Sequence, residues 1–285
     1  MAIVPSGLFR FAALGATLAL GVATAGPSHA QGRVDARYTV TLAGIPLGKG
    51  TWAIDISDKQ FTAAASGATA GLMLIFSSGT GSGASRGAMV AGKPSAATFA
   101  SNVTTERKTE EIRMNLVNGN VKDVTVTPPQ PPHDERVPVT EAHRNGVSDP
   151  MTASLIRVPG NGDVVRPEAC PKVVSVFDGR MRFDLVFTYK RTENVKAEKG
   201  YEGPAVVCGV QFVPIAGHVP TRTAIKYLAE RRDIEAWLVP VASTRVMVPF
   251  KVSIPTALGR GILQATQFVT SAQKPRTTTA SPKTQ

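Results

Sequence analysis

The sequence predicts a mainly β protein: one large, curved antiparallel sheet or an incomplete barrel, with one short helix after a proline-rich loop. Two observations predict this class. Segments with apolar residues at every second position recur along the chain, and this is the period of a strand with one buried face. Most of these segments are separated by short runs of turn-forming residues, which suffice for hairpins but not for the long crossovers between parallel strands.

The N-terminal segment, residues 1–30, has the organisation of a secretory signal peptide. Arg10 precedes an apolar run over residues 11–25, and Ser28 and Ala30 place small residues at positions −3 and −1 of a cleavage site. The alternative, a membrane anchor, is disfavoured because the run is shorter than the ~20 residues that span a bilayer. We therefore expect export to the periplasm and cleavage between Ala30 and Gln31.

The exported chain is predicted to form a single antiparallel β domain over residues 31–270, followed by a disordered tail over residues 271–285. The proline-rich residues 128–138 form an extended loop in this prediction, because proline cannot donate to a ladder. The region 128–148 either separates two halves of the domain or connects strands of one sheet. The predicted strands cover residues 37–41, 50–56, 61–68, 71–77, 96–105, 111–117, 121–127, 173–177, 181–189, 205–212, 233–240, 245–253 and 261–270.

Four segments between or within these strands call for separate interpretation. Residues 77–87 are rich in glycine and serine but lack the lysine and helix of a phosphate-binding loop, so they predict a flexible loop or a twisted, bulged strand. Asn118-Gly119 predicts a tight hairpin turn. Asp149 and Pro150 suit the N-cap and first turn of a helix that runs to about residue 159, and residues 223–230 fit either a helix or a strand.

The segment Val173–Tyr189 is the strongest strand signal in the chain. Asp178-Gly179 predicts a turn, and apolar and polar residues alternate from Met181 to Tyr189, which predicts a strand whose apolar face lies in the core. Cys170 and Cys208, the two cysteines of the chain, bracket this strand. In an oxidising compartment they predict one structural disulfide, the alternatives being two free buried thiols or a redox pair, which the lack of a C-x-x-C spacing disfavours.

The charge and the histidines exclude several function classes. The formal net charge is +11, but the basic residues are scattered and no basic stripe carries interleaved aromatics, so nucleic acid is not an expected partner. His133 and His143 lie near Asp134 and Glu135, in a spacing that matches no strong metal site. We expect no metal and no cofactor, and we assign no catalytic residue.

Two pairs of charged residues in the central segment remain candidates for chemistry. Asp178 and Asp184 could act as paired carboxylates in glycoside hydrolysis, although a turn residue and a solvent-facing or ion-paired residue are the simpler interpretation. Arg180 and Arg182 share one strand face and could grip an anion, or they form ion pairs along the strand.

Several motifs together resemble the bacterial envelope family catalogued as domain of unknown function 3108. They are YTVTLAGIPLGKGTWAI near the start, Cys170-Pro171, VFDGRMRFDLVF, Cys208 on a strand and IEAWLVPVASTRVMVPFKVSI near the end. Gly44 and Gly48 fit the family's G-x-x-x-G turn, whereas Met181 and Phe183 are variants within its central motif. The resemblance implies a periplasmic β-rich protein and implies no activity.

The expected function is that of a non-enzymatic envelope protein that binds a lipid or other hydrophobic ligand on the concave face of the sheet. Trp52, Phe76, Phe183 and Phe187 are the candidate ligand-lining residues, with plain core packing as the alternative. Such a protein would be peripheral to the membrane at most. The alternatives are a hydrolase of cell-wall glycan or peptide and an envelope-integrity scaffold without a small ligand. The sequence leaves the ligand, the partners and the oligomeric state open.

Overall fold

The computed structural model describes residues 31–70 and 78–272. The predicted signal peptide, the apolar segment 71–77 with Phe76, and residues 273–285 lie outside these ranges. The described strands are β1 (Gly32–Leu42), β2 (Ile45–Ile56), β3 (Gln60–Thr69), β4 (Gly79–Val90), β5 (Lys93–Thr105), β6 (Thr109–Val117), β7 (Asn120–Thr127), β8 (Ile156–Arg157), β9 (Val173–Phe177), β10 (Arg182–Lys196), β11 (Lys199–Gly200), β12 (Glu202–Ala216), β13 (Ile234–Pro240), β14 (Val246–Thr256) and β15 (Gly259–Ala272). The helices are α1 (Pro150–Ala153), α2 (Thr223–Glu230) and two 3-10 turns, Glu141–Arg144 and Pro167–Ala169.

One sheet contains all fifteen strands of the described ranges, which confirms the predicted fold class. Its order is β7-β6-β5-β4-β3-β2-β1-β15-β14-β13-β12-β10-β9, with β8 added to β14 and β11 added to β15. Neighbours on the main path are antiparallel, and the two-residue β11 pairs parallel with β15. Because β1 pairs with β15, the strands on both sides of the proline-rich loop share one sheet.

The two ends of the sheet, β7 and β9, come together at a joint that we call the seam. The backbone N–H of Val147 donates to the carbonyl of Gly119, next to β7, over 2.8 Å. Ser148 then donates to Ser175 of β9 and accepts from Phe177, at 2.9 and 3.0 Å. A two-residue strap of chain therefore closes the curled sheet into an incomplete barrel.

The sheet is covered unevenly. On its inner face, Val34, Ile54, Phe61, Phe250 and Phe268 belong to the main core. The outer face of β12–β14 is also buried. There Cys208 of β12 forms a second core with Ile156 and Val158, which lie over this face. Burial on both faces explains the nearly continuous apolar sequences of these three strands.

The central segment is less buried than the sequence predicts. Its turn at Asp178-Gly179 and both strands are present, but Phe183, Leu185 and Phe187 are only partly buried and Tyr189 is 38% exposed. The prediction that this face lies in the core is therefore wrong. The reason is position: β10 is the last strand but one, and the doubly covered part of the sheet is β12–β14.

The remaining local predictions are mostly confirmed. Residues 79–90 form a strand with a bulge between Arg86 and Gly87, and residues 223–230 form α2. The helix capped by Asp149 is only four residues long, shorter than predicted. Strand β15 continues to Ala272, two residues into the predicted tail. The two cysteines form the predicted disulfide, with Cα atoms 5.7 Å apart.

Candidate functional site

The inner face of the sheet contains a cavity of about 770 Å³ between β1–β5, α1 and the β14–β15 pair. Its existence follows from the residues that face inward. Gly50 of β2, Gly67 of β3 and Gly81 of β4 are register partners and form one row across three strands. The next row contains Ala65 and Gly83 beside Trp52. Small residues at these positions leave the inner space unfilled.

Gly81 and Gly83 of β4 are not required by the backbone at their own positions. A Cβ atom built on Gly81 would be 3.7 Å from the carbonyl oxygen of Asn102, and one on Gly83 would be 3.7 Å from that of Ala100. These are ordinary contact distances, and neither residue has a positive φ. Larger side chains at Gly81 and Gly83 would therefore project into the cavity without a backbone clash.

The wall of the cavity is mainly apolar. Its larger apolar side chains are Tyr38, Val40, Leu47, Trp52, Phe99, Val103, Met151, Pro249, Val252 and Leu263. The Tyr38 hydroxyl donates to the carbonyl of Pro249 over 2.7 Å, and burial raises the pKa of Tyr38 well above its usual value. This phenol is therefore protonated and already hydrogen-bonded.

Several other hydroxyl groups of the wall also form hydrogen bonds with protein atoms. Thr69 Oγ1 accepts from the N–H of Gly79 over 3.0 Å, and Ser154 Oγ donates to the carbonyl of Pro150 over 2.9 Å. Lys49 is the charged residue of the wall among the described residues, but it is exposed and the strand alternation places its side chain on the outer face. The inner surface is thus apolar and uncharged over the described residues.

A buried polar cluster supports α1 against β4 at one side of the cavity. Asp149 Oδ1 accepts from the N–H groups of Met151 and Thr152 at 2.9 and 3.1 Å, so it caps the helix. Asp149 Oδ2 accepts from Ser85 Oγ over 3.1 Å. Burial raises the pKa of Asp149, and the hydrogen bonds from Thr152, Ser85 and Met151 partly oppose this rise. The cluster fixes α1 so that the Met151 side chain faces the cavity.

The structure separates the four predicted ligand-lining residues. Trp52 lines the cavity. Phe76 lies outside the described residues. Phe183 packs against Phe212, with ring centroids 5.3 Å apart, and Phe187 packs against the second core, so neither of these two lines the cavity.

The charged candidates of the central segment are engaged in local contacts. Arg180 pairs with Glu110 over 3.2 Å, and Arg182 pairs with Asp184 over 2.8 Å. Asp178 Oδ1 accepts from the backbone N–H groups of Arg180 and Met181, at 2.8 and 2.7 Å, which is the geometry of a turn residue.

The histidine candidates also have local structural contacts. His133 Nδ1 accepts from the N–H of Glu135 over 3.3 Å, and His143 Nδ1 accepts from that of Thr140 over 3.1 Å. Across residues 31–70 and 78–272, no group of three or more histidine, cysteine or acidic residues is arranged to hold a metal ion. No helix in these ranges combines the length and the apolarity needed to cross a bilayer.

A comparison with known protein families identifies the family of this chain. The model of the family described as "Protein of unknown function (DUF3108)" matches residues 37–266. The chain belongs to this family. No curated protein matches the sequence. A solved structure that is similar, with a TM-score of 0.46 and 11% identity over 85% of this chain and 98% of the other, is a "Beta-barrel-like Protein of Domain of Unknown Function DUF1849 from Brucella abortus".

In this DUF3108 protein, the residues that create the cavity lie within the matched range, yet two of the predicted lining residues, Phe183 and Phe187, do not line it. The informative signal was the spacing of Gly79, Gly81 and Gly83. Glycine at every second position, with polar residues between, indicates a strand whose inner face carries no side chains. Composition alone identified this segment only as glycine-rich.

Proposed function

We propose that this protein is a non-enzymatic periplasmic protein that binds a lipid or other hydrophobic ligand in the cavity of its sheet. The observation that carries the proposal is the apolar cavity of about 770 Å³. Ligand sites in proteins typically measure about 300–1,000 Å³ and have mainly apolar walls with few polar groups. Each methylene group buried in such a site contributes about 0.8 kcal/mol, so one hydrocarbon chain supplies a large driving force.

The arrangement of the described residues supports this function over the two alternatives. A scaffold without a small ligand needs no inner space, whereas here rows of glycine and alanine keep the inner face open. A hydrolase needs an acid and a base that are free to act, whereas Asp178 accepts two backbone hydrogen bonds and Asp184 is held by Arg182. The disulfide and the predicted signal peptide support the periplasm as the compartment.

The test is a cavity-filling variant, Gly81→Leu/Gly83→Leu. Its matched control is Ser82→Leu/Ala84→Leu, which adds the same side chains to exposed, outward-facing positions of the same strand. Native mass spectrometry of protein isolated from the periplasm would detect bound lipid, and titration with a fluorescent fatty acyl probe would give the affinity. We expect wild type and control to bind, and the filled variant to bind at least tenfold more weakly with an unchanged or higher melting temperature.

Two results would contradict the proposed function. One is a wild-type protein that is recovered without lipid and also fails to bind added acyl probes. The other is a filled variant that binds as tightly as wild type, because binding would then lie outside the cavity. Fractionation of cells that express a tagged chain checks the compartment separately, and a cytoplasmic, uncleaved product would contradict export.

A further inference from the structure

The cavity reaches one end of the barrel, which we call the mouth end. Its wall includes four residues at or near the ends of strands β2–β5, namely Leu47, Thr69, Gly79 and Thr105. Because neighbouring strands are antiparallel, the β1–β2 turn, the β14–β15 turn and helix α2, which connects β12 to β13, lie at this same end. A partner that binds these turns would therefore face the cavity.

Two adjacent turns of the mouth end expose large apolar side chains. Leu258, in the β14–β15 turn, is 76% exposed, and Ile45, next to the β1–β2 turn, is 47% exposed. The backbone N–H of Ala43 donates to the carbonyl of Arg260 over 2.9 Å, so the two turns lie side by side. Leu258 is the most exposed large apolar residue of the described ranges. Exposed apolar side chains that cluster in this way mark a surface for interaction.

The segment that contains α2 adds positive charge to the same end. Residues 222–233 contain four basic and two acidic residues. One of the acids, Asp233, pairs with Arg260 over 3.0 Å, which attaches this segment to the β14–β15 turn. Arg222 at the N-cap of α2 and Lys226 one turn later are both exposed. Within the described residues, neither side chain forms a hydrogen bond or an ion pair, so both cations are available to an anionic partner.

An anionic lipid bilayer fits this combination of features. Leu258 and Ile45 project from turns, so they can enter the hydrocarbon boundary of a bilayer without a complementary pocket on the partner. Cations near an anionic membrane surface each contribute to the affinity, and Arg222 and Lys226 supply them. A bilayer is also the source of the hydrophobic molecules that an apolar cavity would take up.

We propose that the mouth end docks on an anionic lipid bilayer, with Leu258 and Ile45 inserted at the hydrocarbon boundary and Arg222 and Lys226 against the headgroups. This inference extends the proposed function, because it names the surface from which the cavity would be loaded. Its test needs no ligand in the cavity, so the two proposals can fail separately.

The first pair of variants tests the apolar contact. Ile45→Ser/Leu258→Ser removes both exposed side chains of the mouth end. The matched control is Val90→Ser/Val117→Ser, because these valines are 55% and 52% exposed and end strands β4 and β6 at the opposite end of the barrel. Co-sedimentation measures the binding of each protein to vesicles of phosphatidylcholine, with and without about 30% phosphatidylglycerol. Melting curves check that every variant is folded.

The second pair of variants tests the charge in the same assay. Arg222→Gln/Lys226→Gln removes the two available cations. The matched control is Lys59→Gln/Lys93→Gln, which removes two exposed lysines at the opposite end of the barrel. Because salt screens exposed charges, high salt should weaken the binding of wild type more than that of Arg222→Gln/Lys226→Gln.

We expect wild type to bind the anionic vesicles at least tenfold more tightly than the neutral ones. Each mouth-end variant should bind the anionic vesicles about tenfold more weakly than wild type, and each control within about twofold of it. Wild type that ignores anionic vesicles, or mouth-end variants that bind like their controls, would overturn the docking. Self-association of wild type that is lost in Ile45→Ser/Leu258→Ser would assign the turns to a second copy and also overturn it.

Titration of the same proteins with the fluorescent acyl probe separates the two proposals. Probe binding by a wild type that ignores vesicles would overturn the docking and leave the proposed function standing. Vesicle binding by a wild type that takes up no lipid or probe would overturn the proposed function and leave the docking standing.

Discussion

Ser85 of β4 donates a hydrogen bond of 3.1 Å to the fully buried carboxyl of Asp149, which caps α1 from a position 64 residues later in the chain. Ser85 Oγ also lies 2.9 Å from Oγ1 of Thr152. The contact links the sheet to the helix that borders the cavity in the described ranges. The stability of this corner therefore depends on a polar cluster with no access to water.

Asp149→Ala is expected to lower the free energy of unfolding by about 2 kcal/mol or more. The change removes the helix cap, so the backbone N–H groups of Met151 and Thr152 and the buried hydroxyl of Ser85 lose the acceptor that Asp149 provides. Asp149→Asn keeps an acceptor oxygen for the cap and is expected to stay within about 1 kcal/mol of wild type. Urea unfolding measures both. Equal losses in the two variants would show that the cap contributes little.

The stability difference between wild type and Asp149→Asn should depend on pH. Burial raises the pKa of Asp149 in the folded protein above the unfolded value near 3.8. Between these two pKa values the folded state binds more protons than the unfolded state, so wild type gains stability relative to the asparagine variant as the pH falls. Above the folded pKa the difference is constant. Paired urea titrations from pH 7 to pH 4 check this, and a difference that moves in the opposite direction would contradict it.

Glycines of one strand should respond oppositely to the same substitution. Gly81→Ala is expected to stabilise the protein by about 0.5–1 kcal/mol, because the new Cβ makes only ordinary van der Waals contacts and the unfolded chain loses freedom. Gly87→Ala is expected to cost about 1–3 kcal/mol, because its Cβ would lie 2.0 Å from the carbonyl oxygen of Ser95 at the β4–β5 bulge. Thermal unfolding of the two variants gives the comparison, and a destabilised Gly81→Ala would mean that its surroundings are filled.

The disulfide should account for a large part of the stability. Cys170 and Cys208 are 38 residues apart, and closing a loop of this size is worth about 4 kcal/mol in the chain-entropy model. We expect Cys170→Ala/Cys208→Ala to lose about 3–4 kcal/mol. A reductant should lower the stability of wild type and leave the double variant unchanged. A reductant that affects both proteins equally would show that it acts elsewhere.

The ion pair between Arg180 and Glu110 should stabilise the seam only modestly. It joins the β9–β10 turn to β6 over 3.2 Å, and both side chains are about a quarter exposed, so solvent screens the attraction. A double-mutant cycle with Arg180→Met and Glu110→Gln is expected to give a coupling of about 0.5–1 kcal/mol. The coupling should shrink in high salt. A coupling that is insensitive to salt would contradict an electrostatic origin.

Short-range features of the fold were predictable from the sequence. Asn118 and Gly119 have positive φ values of 51° and 77°, as the Asn-Gly signal for a tight hairpin predicts. Asp149 caps α1, as the Asp-Pro signal predicts. Each of these depends on residues whose local chemistry allows few other conformations.

Features that depend on distant strands were not predictable. The apolar alternation of β10 gave no sign that the strand lies next to the edge of the sheet, where Phe183 and Phe187 stay partly exposed. The cavity arises only when Gly50, Gly67 and Gly81 are placed in register across three strands. An alternation of period two shows which residues share one face of a strand. It does not show which residues form the opposite wall of the cavity, because those come from other parts of the chain.

The strap at Val147 and Ser148 determines how the circumference of the barrel can change. In a fully closed barrel, the circumference can change only if the hydrogen bonds between two neighbouring strands break. Here the circumference is completed by three backbone hydrogen bonds from two residues and by the ion pair between Arg180 and Glu110, and β7 and β9 are not paired with each other in the described ranges. Under the proposed function, we therefore expect thicker ligands to be admitted by widening at this joint, with the strand pairing of the rest of the sheet left intact.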